Sequence, residues 1–269
     1  MNGYVYDVNF GIHTYLYVID NGLNPLNNVR TALAKTRSRF DTSSQDFGDL
    51  GRIGKVEWHY GYHVNADPTD DSNAGHGSCV ASKAAGWING VSKNSVLVML
   101  KASMDMADTN WAFAKALDDI LVKSRQGKAV VVYPRSSTET PFSDSAVPPA
   151  WLSVKQLIQD LMDNDVVVVT CAGDDGTSKI PPWKFPALWS EDNYPLIVAG
   201  AVGADGGYTA ISQGRNVPNR VVWAPGESVL CATGKPSRSP PFTRIGRGSS
   251  FSAGMVTRRL HDISDWMLT

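Results

Sequence analysis

Three side chains of the kinds used in nucleophilic attack and proton transfer stand at predicted ends of secondary structure: Ser250, His76 and Asp20. Ser250 lies in the segment Gly248 to Ser250, directly before an apolar run that can continue as a helix. The first N–H groups of a helix have no internal partner and the dipole there favours negative charge, so an oxyanion could be held. The same pattern is also that of an ordinary helix N-cap, and Ser250 therefore indicates catalysis only if partners stand elsewhere in the chain.

His76 and Asp20 are the candidate partners. Glycines at 75 and 77 flank the histidine at the start of a helix of small residues, which lets the backbone pack closely while the imidazole projects from the helix start. Asp20 follows the β-branched and aromatic run from Thr14 to Ile19, which predicts a buried strand. In open α/β sheets, ligands bind at the carboxyl ends of strands. Taken alone, a histidine of this kind is more often structural, and the aspartate more often only shapes its turn.

The elements that must position these residues follow a repeated order of strand and helix. Predicted strands cover Lys55 to Val64, Ser95 to Lys101, Lys128 to Tyr133, Val166 to Thr170, Pro195 to Val202 and Arg220 to Gly226, and predicted helices cover Val29 to Lys35, Asn110 to Ser124, Pro149 to Asn164 and Arg258 to Leu268. Alternation of this kind predicts a parallel sheet with right-handed crossovers.

Composition limits the classes of function. With 269 residues and 42% hydrophobic content, the chain can bury a large core, and we expect one domain over residues 1–269. A net charge of -1 without a run of lysine or arginine gives no electrostatic case for nucleic acid or an anionic membrane. No apolar window approaches the length of a membrane-spanning helix, and the first residues lack the order of a signal peptide. We therefore expect neither nucleic-acid nor membrane partners, and a monomer.

The loop after the second predicted strand contains Asp67, Asp70 and Asp71. Their carboxylates could bind calcium, but their spacing matches no EF-hand, and a solvated loop is the favoured interpretation. The sequence therefore assigns no metal ligand. We expect no required cofactor, with a structural calcium ion left open.

The three cysteines, Cys79, Cys171 and Cys231, are too few and too scattered for a disulfide scaffold or a zinc site. An odd number leaves at least one of them unpaired within the chain. Cys79, close to His76, could make the protein sensitive to thiol reagents, although a buried inert cysteine is the favoured interpretation.

The order Asp20, His76 and Ser250 along an alternating α/β chain is that of the subtilisin triad. The chain resembles the subtilisin-like serine proteases over nearly its whole length. The residues that carry the resemblance are Tyr17-Val18-Ile19-Asp20-Asn21-Gly22, Gly75-His76-Gly77-Ser78 and Gly248-Ser249-Ser250-Phe251-Ser252-Ala253, with support from Ile197 to Val202 and from Trp223 to Gly226. The resemblance implies a subtilisin-like three-layer α/β fold, with a central, mostly parallel sheet flanked by helices.

The resemblance also implies a serine endopeptidase acting on polypeptides. His76 would take the proton of Ser250 during attack and return it to the leaving amine, while Asp20 holds the imidazole tautomer. The oxyanion would face the Ser250 N–H and the side chain at position 174. Substrate would pair its backbone with the segment after the fourth predicted strand, which contains Arg135, Ser136 and Ser137.

Departures from the family pattern concern the oxyanion site and the substrate edge. Asp174 stands where the family has asparagine, and an ionised carboxylate offers no N–H and repels the developing charge. Only a protonated Asp174 could donate, which predicts slower or acid-favouring activity. The segment from Pro134 to Ser137 replaces the usual Ser-X-Gly, so that Ser137 would crowd the first specificity pocket. Gly254 replaces a proline after the serine motif.

Two functions therefore stay open. The first is an active serine endopeptidase, and the alternative is a catalytically impaired domain that keeps the fold to bind peptides or to regulate a partner. Secretion is the localisation that the resemblance implies, and an intracellular module of a larger protein is the alternative.

Overall fold

The computed structural model describes residues 11–23, 47, 56–67, 69, 70, 72, 75–86, 89–103, 105–136, 147–176, 184–191, 193–214, 221–234 and 243–257. Within them the strands are β1 (Tyr15–Asp20), β2 (Val56–Tyr60), β3 (Val96–Lys101), β4 (Ala129–Tyr133), β5 (Val167–Cys171), β6 (Ile197–Val202), β7 (Val221–Pro225), β8 (Val229–Ala232) and β9 (Thr243–Gly246). The α-helices are α1 (His76–Ala85), α2 (Met106–Val122), α3 (Pro149–Asp163) and α4 (Ser249–Val256). A 3₁₀ turn covers Ala187–Trp189.

The first seven strands form one parallel sheet in the order β2-β3-β1-β4-β5-β6-β7. Strands buried on both faces read as continuous apolar runs, as the sequence of β4, Ala-Val-Val-Val-Tyr, does. β1 lies between β3 and β4, with Asp20 opposite Lys101 in register. The carboxyl ends of these three strands therefore meet at one edge of the sheet.

Helices cover both faces of the sheet, and the core therefore has two layers, one on each face. On one face, residues of α1 and α4, such as Val80 and Phe251, pack against the sheet. On the other face, residues of α2 and α3, such as Phe113 and Trp151, pack against it. The three-layer α/β fold predicted from the sequence is confirmed. None of the described helices is both long and apolar enough to cross a membrane.

A two-stranded antiparallel sheet, β8-β9, was not predicted from the sequence. It lies beside α1, because Cys231 of β8 forms a disulfide with Cys79 of α1. Cys171, at the end of β5, is free and buried. The pairing that the sequence left open thus joins α1 to the hairpin.

Two predicted boundaries differ from the structure by four residues, and two predicted helices cannot be compared with it. α2 begins at Met106 rather than Asn110, because the Asp105 carboxylate accepts a hydrogen bond from the Asp108 N–H at 2.8 Å and so caps an earlier start. β2 ends at Tyr60 rather than Val64. The helices predicted over Val29 to Lys35 and Arg258 to Leu268 lie outside the described residues.

Replacing Cys79 and Cys231 together by alanine is expected to lower the free energy of unfolding by about 2–5 kcal/mol, because the cross-link restricts the unfolded chain. The two residues are 152 positions apart, so the loop closed by the disulfide is long. Thermal unfolding in the presence and absence of reductant measures the effect: reductant should lower the Tm of the parent chain and leave that of the double variant unchanged. An equal response of both proteins would contradict the expectation.

Candidate active site

The three sequence-predicted residues lie on three different elements. Asp20 is the last residue of β1, His76 is the first residue of α1, and Ser250 lies in the first turn of α4. Close approach of α1 to β1 requires a glycine at position 77, because a Cβ there would lie 2.2 Å from the carbonyl oxygen of Gly22. The glycine beside the histidine thus allows α1 to begin next to Asp20.

Asp20 and His76 form a hydrogen-bonded pair. The Nδ1 atom of His76 lies 2.8 Å from Oδ2 and 3.1 Å from Oδ1 of Asp20. The carboxylate is fully buried, and it also accepts a hydrogen bond from the Asn21 N–H at 2.7 Å. Because an ionised carboxylate only accepts, Nδ1 carries the proton and Nε2 of the partly exposed imidazole is left as the basic nitrogen.

Arg135 is the second side chain that donates to the Asp20 carboxylate. Its Nη2 donates to Oδ1 at 3.0 Å, and its Nη1 donates to the Ser103 carbonyl at 3.0 Å. The guanidinium is buried, so this side chain faces Asp20 and not solvent. Ser136 and the backbone of this segment stay candidates for substrate contact, and Ser137 lies outside the described residues.

These contacts shift the pKa values of the pair in opposite directions. Burial alone would raise the pKa of Asp20, but the charges of His76 and Arg135 outweigh it and hold that pKa well below its usual range. Burial alone would lower the pKa of His76, but the Asp20 carboxylate outweighs it and raises that pKa above its ordinary value. Each partner thus stabilises the charged form of the other.

Asp70 supports the start of α1. Its carboxylate accepts hydrogen bonds from the Ser78 N–H at 2.6 Å and from the Ser72 N–H at 3.0 Å. Burial and the nearby charge of Asp20 raise the pKa of Asp70. The prediction of a solvated loop was wrong for Asp70. Its carboxylate lies outside α1 and satisfies the Ser78 N–H, which has no partner within the helix.

The adjacent serines at the start of α4 have different environments. Ser249 is fully buried, and its hydroxyl accepts a hydrogen bond from the Gly173 N–H at 3.2 Å. Ser250 is only half-buried. Ser249 therefore joins α4 to the turn after β5, and Ser250 is the hydroxyl of the two that a substrate could reach.

The Ser250 hydroxyl interacts with the Cys171 thiol. Burial raises the pKa of the Cys171 thiol to about 12, and the charge of Asp174 adds to the rise, while hydrogen bonds from the Ser250 and Ser249 hydroxyls oppose it. Cys171 is therefore a neutral thiol and a poor nucleophile. Among the described residues, no hydrogen bond joins Ser250 to the imidazole, although the ring of Phe251 lies against it with centroids 5.5 Å apart.

A model of the subtilase family matches residues 13–261 of this chain. The chain belongs to the subtilase family. It is similar to alkaline protease 1 of Emericella nidulans, with 26% identity over 243 residues that cover 85% of this chain and 47% of the relative. It is also similar to subtilisin-like protease 11 of Arthroderma gypseum, with 27% identity over 264 residues that cover 95% of this chain and 54% of the relative. The chain thus spans about half the length of these two relatives.

Solved structures share the fold of this subtilase. A cold adapted subtilisin-like serine proteinase matches with a TM-score of 0.65 and 19% identity, over 98% of this chain and 79% of the other. The nisin leader peptidase NisP from Lactococcus lactis matches with a TM-score of 0.66 and 13% identity, over 97% and 80%. The resemblance stated from the sequence motifs is confirmed at the level of family and fold. Together with the named proteases, family membership supports a serine peptidase.

Asp174 binds the start of α4. This residue is the largest departure of the chain from the subtilase sequence pattern. Its Oδ1 accepts a hydrogen bond from the Ser249 N–H at 2.8 Å. Its Oδ2 lies 2.8 Å from the place that a Cβ on Gly248 would take. The carboxylate therefore caps the helix at the position where an oxyanion would be expected.

Gly254, which replaces a proline after the serine motif, is explained by packing. A Cβ at this position would lie 2.8 Å from the Val80 carbonyl oxygen, because α4 crosses closely over α1. A proline or any larger residue would push the two helices apart. The helix that carries Ser250 is thus held against the helix that carries His76.

One acidic cluster outside the triad resembles a metal site in composition. His63, Asp105 and Asp108 place ligand atoms within 4.8 Å of one another. Asp108, however, accepts hydrogen bonds from the N–H groups of Tyr62, His63 and Ser103, and these bonds explain the cluster as the anchor of a turn. No metal ligand is assigned here.

Two contributors to the site were missed by sequence reasoning. Asp70 was assigned to a solvated loop, and Arg135 was assigned to substrate binding without its contact to Asp20. An arginine two residues after the apolar run of β4 is the signal that could have indicated an inward contact, because a charged residue beside a buried strand must find a partner.

Asp20→Asn is expected to lower the free energy of unfolding at pH 7 by about 3–5 kcal/mol, because it leaves the Arg135 guanidinium buried without its counter-charge. Since the folded-state pKa of Asp20 is depressed, the stabilisation is present above the unfolded carboxyl pKa of about 4 and is lost as the pH falls. Urea unfolding measures it. The control Ser250→Ala should stay within about 0.5 kcal/mol of the parent, and equal stability of the two variants would contradict the expectation.

Proposed function

We propose that this chain is a serine endopeptidase domain that works through Asp20, His76 and Ser250 and an acyl-enzyme intermediate. The observation that carries the proposal is the pair formed by the buried Asp20 carboxylate and Nδ1 of His76 at 2.8 Å. It leaves Nε2 as the base, at the edge of the sheet where α4 presents Ser250. The family match and the two named proteases support the same reaction class.

The reaction begins with a change of the Ser250 rotamer. A rotation about χ1 would have to bring the hydroxyl within hydrogen-bond distance of Nε2 of His76, and serine rotamers interconvert readily. Ser250 then attacks the substrate carbonyl while His76 takes its proton. The same proton passes to the leaving amine as the C–N bond breaks, and water attacks the acyl-enzyme by the reverse sequence.

Asp20 and the start of α4 stabilise the charges that form. Asp20 holds the imidazole and balances the imidazolium that is present in both transition states. The oxyanion would take the helix N-terminus, which already holds the Asp174 carboxylate through the Ser249 N–H. The oxyanion must therefore share this place with a second negative charge, and we propose a reduced kcat for this reason.

The substrate is a polypeptide that lies in extended form beside the segment 134–136, with Ser136 and the backbone of this segment as contacts. The proton transfers use side chains alone, so we propose that no cofactor is required. The Cys79–Cys231 disulfide supports an oxidising compartment, in agreement with secretion, because disulfides are rare where thiols are kept reduced.

A catalytically impaired domain that binds peptides or regulates a partner is the second candidate. It is favoured by the position of Asp174 on the helix start and by the interaction of the Ser250 hydroxyl with Cys171. Labelling of Ser250 by a reagent that needs an activated serine separates the two functions.

A fluorophosphonate probe is expected to label this protein between about pH 5 and 8, because the Asp20–His76 pair activates Ser250. The labelling rate should fall as the pH drops through the pKa of His76, which lies above its ordinary value, since only the neutral imidazole accepts the proton. Intact mass and peptide mapping locate the adduct.

Ser250→Ala is the control that should abolish labelling. Ser252→Ala is its matched control on the same helix and should retain it, since that hydroxyl only bonds the carbonyls of Ala224 and Pro225. A folded parent protein that is not labelled at any pH in this range would sink the endopeptidase proposal and leave the impaired domain.

Asp174→Asn is expected to raise kcat at neutral pH. The asparagine carbonyl can still accept from the Ser249 N–H, while its amide adds an N–H for the oxyanion and removes the repelling charge. Loss of the corresponding asparagine donor in subtilisin itself costs roughly 10²–10³ in kcat, which sets the upper size of the gain. Turnover of a chromogenic peptide measures it, and an unchanged kcat would count against the assignment of the oxyanion position.

A further inference from the structure

Arg135 occupies an unusual place for a long cation. The segment from Pro134 to Ser137 stands where the subtilase pattern has Ser-X-Gly, and the first arginine after β4 turns into the protein instead of toward solvent. Its guanidinium is bonded to Asp20 and to carbonyl groups at the end of β3. A buried guanidinium beside the triad carboxylate must change what that carboxylate does for His76.

We propose that Arg135 is a positioning residue that shares the Asp20 carboxylate with His76, weakens the imidazole as a base and so extends activity toward lower pH. The inference rests on the proposed peptidase function of the same site. It goes beyond that function because it assigns the acidic limit of activity to a side chain that contacts neither substrate nor Ser250.

The division of the carboxylate between two partners is the first argument. Oδ2 lies 2.8 Å from Nδ1 of His76, and Oδ1 accepts from Nη2 of Arg135 at 3.0 Å. Asp20 and Arg135 are both buried, so their charges are poorly screened and together approach neutrality. The imidazolium then faces a carboxylate that is already compensated.

Charge effects on His76 have the signs that this arrangement requires. The carboxylate of Asp20 raises the pKa of His76, and the guanidinium of Arg135 lowers it. The net shift stays upward, so Arg135 moderates the effect of Asp20 without reversing it. Removing the charge of Arg135 should therefore make His76 a stronger base.

The remaining charged and titratable groups around the pair come from other elements. Asp70, before α1, raises the pKa of His76, and the charge of Arg244 from β9 acts on Asp70. Lys101 of β3 stands opposite Asp20 in register and donates to the Asp67 carbonyl. Tyr133 of β4 is buried and stays neutral, because burial raises its pKa.

The second terminal nitrogen of the Arg135 guanidinium fixes the orientation of this side chain. Nη1 of Arg135 donates to the carbonyls of Ser103 at 3.0 Å and Ala102 at 3.4 Å, both directly after β3. Arg135 thus connects the exits of β4 and β3 to the last residue of β1. A lysine at this position could reproduce the charge of Arg135 but not its attachment at two points. Comparison of the two residues therefore separates the charge effect from the attachment.

The test measures the titration of His76 directly by NMR of the imidazole Cε1–H in a Ser250→Ala background, where turnover plays no role. The chain has five histidines, and His76→Gln identifies the relevant signal by its loss. Arg135→Gln keeps an amide donor for Asp20 without the charge, Arg135→Met is a second neutral variant, and Arg135→Lys is the charge-matched control. Circular dichroism verifies that each variant is folded.

The titration midpoint of His76 is expected to move to higher pH in both neutral variants and to stay near the parent value in Arg135→Lys. With Ser250 restored, the acidic limb of kcat/KM should move to higher pH in the same two variants. Equal midpoints in the parent and in a folded neutral variant would overturn the inference, as would a midpoint in Arg135→Lys equal to that of the neutral variants.

The two proposals fail in distinguishable ways. Absence of fluorophosphonate labelling and peptide turnover in the parent protein defeats the peptidase proposal, whatever the NMR titration gives. An unshifted titration of His76 defeats the role of Arg135, whatever the activity. A shifted titration together with an acidic limb that does not move in active variants would also contradict the proposal.

Discussion

The ionised carboxylate of Asp20 can be buried completely only because three donors share it. His76, Arg135 and the Asn21 N–H approach it from α1, from the segment after β4 and from the end of its own strand. An unpaired charge in this position would be strongly unfavourable, since burial removes hydration that only charge and hydrogen bonds can replace. The partners of Asp20 therefore fix where α1 begins and how β4 ends, and the geometry of the candidate site follows from this requirement.

Glycine positions allow the remaining approach. Gly77 lets the first turn of α1 lie against the turn after β1, and Gly254 lets α4 cross over α1 at the Val80 carbonyl. The disulfide between Cys79 and Cys231 holds α1 on the β8-β9 hairpin from the other side. His76 and Ser250 thus lie on helices whose separation is set by backbone contacts, which vary less than contacts between long side chains.

The parts of the fold that could be predicted are those with a local signal. Continuous apolar runs such as Val167–Cys171 specify strands buried on both faces, and each triad residue stands directly beside such a run or at a glycine-marked helix start. The hairpin and the disulfide could not be predicted, because Cys79 and Cys231 are 152 residues apart and only the folded sheet brings them together. The orientation of Arg135 and the burial of Asp70 depend in the same way on neighbours distant in sequence. The polar composition of the loop before α1 predicts exposure to solvent. It cannot show that the carboxylate of Asp70 binds the start of a helix.

At the start of α4, the Asp174 carboxylate that stabilises the resting helix and the oxyanion of the proposed reaction would use the same helix N-terminus. A helix N-terminus needs acceptors for its free N–H groups, and Asp174 supplies one to Ser249 while its charge interacts favourably with the dipole. An oxyanion needs the same dipole and the same region of space, so a carboxylate that stabilises the resting helix opposes the charge of the transition state. An asparagine would serve both states, because it has an acceptor and a donor on one side chain. The aspartate therefore favours the resting protein over the transition state of the proposed reaction.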